Sequence, residues 1–145
     1  MTLLNAEQLI VGAVYDLANA EGLTPMIDEN APFDLEAHGD NPWYRVTMLP
    51  ARPEFREVGR ESRKRQRGIM QVDVFYPRGT YKGGAKTDAQ KVVDAFPSKR
   101  IIAGTGDEQV RVRESWYAQG DNARDDAWYH VLVSVAWLAD VNDKE

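Results

Sequence analysis

Three glycines and a lysine-threonine pair fill the stretch RGTYKGGAKTDAQ (Arg78–Gln90), between IMQVDVFYP, which reads as a strand, and KTDAQKVVDAF, which reads as a helix. Strand, glycine-rich loop, Lys-Thr and helix is the order of a phosphate-binding loop, whose amides and one ammonium converge on the same anion. That chemistry needs the lysine directly after the last glycine. Gly79 and Gly84 have the right separation, but Ala85 stands between Gly84 and Lys86. One residue inserted at a helix start turns the lysine by about 100° around the axis. Asp140 closes the strand VSVAWLAD, where a magnesium-holding aspartate of such a site would stand beside Lys86 and Thr87, yet the parallel α/β scaffold is missing. The plainer reading of Gly83 and Gly84 is a flexible loop turning into a helix.

The other reactive side chains make weaker constellations. His38 and His130 are the two histidines, without ligand spacing between them or a local partner. His130 lies in an apolar strand and reads as a half-buried sheet residue with one hydrogen bond. Asp73, on the polar face of a strand, is a poised carboxylate or, more often for such a residue, one that faces solvent or pairs with an arginine across the sheet. Asp121, Asp125 and Asp126 surround Arg124 in a turn but lack the regular ligand spacing of a calcium loop. The chain has no cysteine, which removes disulfides, thiolate metal sites and a cysteine nucleophile. No serine sits in a nucleophile elbow. The expectation is a protein without catalytic residues, metal or cofactor.

Charge is distributed unevenly. Arg52–Arg67 carries seven basic and three acidic residues, a net +4 that leaves −9 for the rest of a chain whose total is −5. A basic arm on an acidic body favours contact with something negative, another copy of the body included. No aromatic residue lies within Ser62–Arg67 to stack on bases, so a nucleic-acid-binding module is the weaker reading of the arm. A solvated hairpin tip is the bland one.

The elements that must position these groups fit one domain, residues 1–145. Asn5 and Gln8 read as a capping box before an amphipathic helix over 6–21, with Leu9, Ile10, Ala13, Val14 and Leu17 as its stripe and Gly22 as its stop. Residues 23–41 read as an acidic, proline-punctuated loop. WYRVTMLP is a strand. The stretch from Glu54 to Pro77 reads as a long hairpin with arms near 54–60 and 68–76 and a tip, ESRKRQ, too charged to pack. A second helix follows with Val92, Val93 and Phe96 as its stripe, closed by Pro97. RIIAG, QVRVRESWY and WYHVLVSVAWLAD are strands, the last apolar on both faces and therefore central or exposed to a partner. DVNDKE reads as a frayed tail. The fold class is α+β: two helices packed on a mainly antiparallel or mixed β-sheet, with a long protruding β-hairpin. No apolar run approaches a membrane span, and MTLLNAEQLI lacks the basic flank of a secretory signal. A soluble cytoplasmic protein is expected.

Taken in series, WYRVTMLP, GIMQVDVFYP (Gly68–Pro77), the glycine loop, the helix ending at Phe96-Pro97 and WYHVLVSVAWLAD resemble the tail terminator (tail-completion) proteins of long-tailed phages. The resemblance runs over nearly the whole chain in the same order. It departs from the family pattern in a longer, more acidic stretch at 23–41 and in GTYKGG after the second arm. It implies a fold like that of tail-tube and connector subunits and a hexameric ring that caps the tail tube and ends its polymerisation. It also implies a surface joined to the head, with the major tail tube protein and a head-completion or connector protein as partners. The place implied is the head-proximal end of the virion tail, after assembly in host cytoplasm. DNA would pass through the lumen without sequence-specific binding.

Rings need two different patches that meet. The basic residues Arg60, Arg63, Lys64, Arg65 and Arg67 are one candidate patch; Asp28 and Glu29, with Asp121, Asp125 and Asp126, are the other. The alternatives are another head–tail connector or adaptor subunit and, from a different class, a small phosphate- or nucleotide-binding enzyme.

Overall fold

Leu23 donates its amide to the carbonyl of Ala18 at 2.9 Å across Gly22, whose φ of 73° is the left-handed turn that glycine allows. This closes helix α1, Leu3–Glu21. The computed structural model describes residues 3–50, 54–55, 63–79, 82–105, 108–120 and 128–142. The further elements are β1 (Met26–Asp28), the four-residue helix α2 (Leu35–His38), β2 (Trp43–Pro50), β3 (Glu54–Phe55) and β4 (Arg63–Pro77), then α3 (Lys82–Ala95), β5 (Ile101–Thr105), β6 (Glu108–Gln119) and β7 (Trp128–Asn142).

One sheet runs in the order β1-β2-β4-β7-β6-β5, with β3 paired to β4 off this path. β1 is parallel to β2 and every other pair is antiparallel. The α+β expectation holds: α1 and α3 cover one face. Alternation puts Tyr44, Val46, Met70, Val72, Val74, Val131, Val133, Val135 and Trp137 on that face, against Ile10, Val14, Ala89, Val92 and Phe96. Trp137 is fully buried, and a Cβ on Gly68, its cross-strand partner, would lie 2.5 Å from the indole.

Several expectations need correction. α1 starts at Leu3, ahead of the Asn5 cap, and its deepest residues are Ala6, Ile10, Val14 and Ala18, an i, i+4 row that leaves Leu9 39% exposed. Residues 23–41 are not a bare loop. Met26–Asp28 pairs with Tyr44–Val46, in a segment too short for periodicity to show, and α2 follows. The charged "tip" is strand from Arg63 onward: β4 pairs with β7 along its length, Gln66 is buried, and Lys64 and Arg65 face Phe55 and Glu54. Glu61 and Ser62, the start of the expected tip, lie outside the described residues. β7 continues to Asn142, so Asp140–Asn142 are strand and not tail.

Candidate interaction surfaces

Among its described residues the glycine stretch forms no anion cradle. α3 begins at Lys82, which places Gly83, Gly84, Lys86 and Thr87 within the helix and closes the phosphate-loop reading. Gly84 serves packing, since a Cβ there would sit 2.8 Å from the Tyr76 ring. One turn on, Oδ2 of Asp88 accepts the hydroxyls of Tyr44 at 2.6 Å and Tyr76 at 2.5 Å. Burial and the Asp88 carboxyl together push the Tyr44 phenol far above its ordinary range and that of Tyr76 up to about 12. Lys91 stands 3.8 Å from the other oxygen of Asp88. This tyrosine-aspartate clamp ties α3 to β2 and β4. Sequence reading missed it because its members are 44 and 12 residues apart.

Asp140 alternates with core residue Ala139 and therefore points to the sheet face opposite α3, away from Lys86 and Thr87. It receives Arg65, Nε at 2.8 Å and Nη2 at 3.1 Å, a two-pronged pair across β4 and β7. On the same face Asp73, 1% exposed, accepts from Gln71 at 3.0 Å and meets His130 Nε2 at 2.7 Å, with Arg45 at 3.4 Å. Burial alone would raise the Asp73 pKa; hydrogen bonds from His130 and Gln71 and the charges of His130 and Arg45 outweigh it and hold the carboxyl below its ordinary value. His130 stacks on Phe75, with ring centroids 4.6 Å apart. Asp73 is therefore the cross-strand arginine partner, and His130 the half-buried sheet residue, that their strand contexts suggest. His38 contacts the Pro42 carbonyl at 3.1 Å. Among the described residues no group of three His, Asp or Glu is placed to hold a metal.

The candidate interface residues separate by face. Arg67 lines an open hollow of about 340 Å³ on the helix-free face, with Leu49, Ile69, Arg113, Trp116 and Ala136. Its apolar members were legible by alternation, yet sequence reading did not gather them: Leu49 pairs with Ile69 and Ile69 with Ala136 across three strands. Asp28 and Glu29 line a hollow of about 320 Å³ on the helix side, beside Glu7 and Tyr15 of α1. Arg65 is engaged by its own subunit's Asp140, and Lys64 is half-buried. Arg60, the Arg63 side chain, Asp121, Asp125 and Asp126 lie outside the described residues. No helix among the described residues is long and apolar enough to cross a membrane.

A family model described as phage tail terminator protein matches residues 9–137. No curated protein matches the sequence. Among 14 matching solved chains, one is 25% identical with a TM-score of 0.66, covering 92% of this chain and 94% of the other.

Proposed function

Since the chain belongs to the phage tail terminator family, a structural component of phage tails, we propose that it caps the tail tube as a ring, ends tube polymerisation and offers its outer surface to the head. The family match over residues 9–137 is the observation that carries this reading. The partners are then copies of itself, the major tail tube protein and a head-completion protein, at the head-proximal end of a tail assembled in host cytoplasm. Arg67 and the Asp28–Glu29 pair occupy opposite sides of the sheet. A basic-to-acidic contact between them would join two different patches of two copies, and such heterologous contacts form a ring where the rotation between copies closes. The acidic remainder of the chain suits a lumen through which DNA slides without sticking. The test is polymerisation of purified tail tube protein with and without this chain, scored by electron microscopy. Tubes that stop at short, uniform lengths with a density at one end support the proposal. Tubes of unchanged length, with the chain absent from their ends, would refute it.

A further inference from the structure

β6 runs further than the strand beside it. β5 pairs with it from Glu108 to Arg111. The turn before β5 reaches Val112 through the Lys99 amide at 2.9 Å and Arg113 through Ser98 Oγ at 2.7 Å. Beyond that point β6 pairs with β7 alone among the described residues, in unbroken register from Glu114 to Gln119. The outer edge of 114–119 is open. Its side chains are exposed apart from Ser115, with Trp116 at 42% and Tyr117 at 40% on opposite faces. Natural sheets blunt such edges with charge, proline or a bulge, because unpaired amides and carbonyls invite another strand. Here Glu114 is the one charged side chain, and the irregularity at Val112/Glu114 lies ahead of the open stretch. The sheet's other end is open too. β1 has β2 on one side and no strand on the other among the described residues.

We infer that the open edge of β6 at 114–119 seats β1 of a second copy, so that the sheet continues from one copy into the next. The inference rests on the ring reading in taking the occupant to be another copy, repeated head to tail. Strand direction and charge then agree on how it lies. β1 is parallel to β2, and each step from β2 through β4 and β7 to β6 is antiparallel, so β1 runs opposite to β6. Rotation about an axis along the strands keeps their direction and keeps the helices on one side of the joined sheet. The incoming β1 is therefore antiparallel to β6. Met26 and Asp28 share the face of Tyr117, and Ile27 that of Trp116. This direction brings the end of β1, Asp28 with Glu29 after it, to the Arg113 end of the open edge. Arg113 and Arg67 line one hollow there with Trp116 and the single acid Glu114, and Lys99 is joined to Val112 close by. Residues 23–41, which contain β1, hold no lysine or arginine. A parallel strand would carry the acids toward Gln119 instead, away from these cations. The antiparallel one also points the acidic corner toward the end of the sheet where β4 begins at Arg63.

Cross-linking tests it because the chain has no cysteine of its own and a disulfide demands close, facing Cβ atoms. Full-length Asp28→Cys protein is mixed with full-length Ser115→Cys or Tyr117→Cys protein, whose substituted positions share its face of the sheet. Parallel mixtures use Glu114→Cys or Ala118→Cys, on the other face, and all are oxidised with and without tail tubes. The expected result is a disulfide-linked heterodimer at one or both same-face positions and none at the opposite-face positions. Hydrogen exchange on wild-type protein supplies a reading that no substitution disturbs. Amides within 114–119 that exchange freely in dilute protein should become protected in the oligomer or on the tube. No heterodimer at either same-face position, equal linking from both faces, or Tyr117→Cys protein linking to itself would overturn the inference. So would an assembly in which the 114–119 amides stay unprotected. Tube capping is scored apart. A heterodimer without capping keeps the joined sheet and sinks the functional reading, whereas capping without a heterodimer does the reverse.

Discussion

Asp88 fastens α3 to the sheet with one oxygen. Removing its carboxyl takes the shared acceptor from two phenolic hydroxyls that also bond each other, so one donor is left unsatisfied, at a cost of about 1–3 kcal/mol. Asp88→Ala should therefore lose about 2 kcal/mol in urea unfolding, and Asp88→Asn, which keeps an acceptor, distinctly less. Equal losses in the two would mean that shape and not hydrogen bonding sets the clamp. Asp73 allows a prediction in pH. Its folded pKa lies below the ordinary 3.8, so its contribution is present above that value and disappears as pH falls through the depressed folded pKa. Asp73→Asn should lower the urea midpoint at pH 7, and the gap to wild type should close steadily below about pH 4. A gap that stays constant into acid would show that the carboxyl's charge contributes nothing.

Elements were legible where a long apolar period existed and illegible where tertiary partners decided the outcome. The alternation of β7 between Tyr129 and Trp137 and the stripe of α3 at Val92 and Phe96 declare themselves, because burial of one face enforces the period. The start of α3 does not. Local propensity reads KGG as a loop, yet the helix begins at Lys82 because Gly84 fits under the ring of Tyr76, a contact between residues on two elements. The charge of Arg63–Gln66 likewise hid a strand, since Arg65 finds its counter-ion 75 residues away in Asp140. Of the candidate surface, the acidic Asp28–Glu29 corner could be named from sequence, but Glu7 could not, because only the tertiary fold brings α1 to the hollow that Asp28 and Glu29 line. Gly84→Ala sets these levels against each other. Alanine gains about 1 kcal/mol of helix propensity, but its Cβ would press on a Tyr76 ring whose hydroxyl is held by Asp88. Overpacking should win by about 1–2 kcal/mol, a fall in Tm of about 3–6 °C. A rise in Tm would mean that the ring yields freely.

At the scale of the whole molecule, charge reversal must be chosen by what each arginine already does. Arg65→Glu leaves Asp140, which is 4% exposed, facing a like charge across the β4–β7 ladder, and should cost about 3 kcal/mol or more of folding stability. Its effect on assembly would then report unfolding. Arg60→Glu with Arg63→Glu spares that pair and addresses contact between copies. Because exposed attraction is screened over about 10 Å at 0.1 M salt, the wild-type oligomer should weaken with rising salt, and the double reversal should reproduce the high-salt state at low salt with Tm unchanged. Introducing Glu7→Lys and Glu29→Lys into a second preparation should restore association only when the two preparations are mixed, since each then supplies the patch complementary to the other. Light scattering on the separate and mixed proteins decides the matter. Restoration by mixing identifies the basic arm and the acidic α1–β1 corner as the two halves of one heterologous contact. Oligomers that survive the double reversal at every salt concentration would place the contact elsewhere, with the apolar row Leu49–Ile69–Ala136 on the opposite face as the next surface to alter.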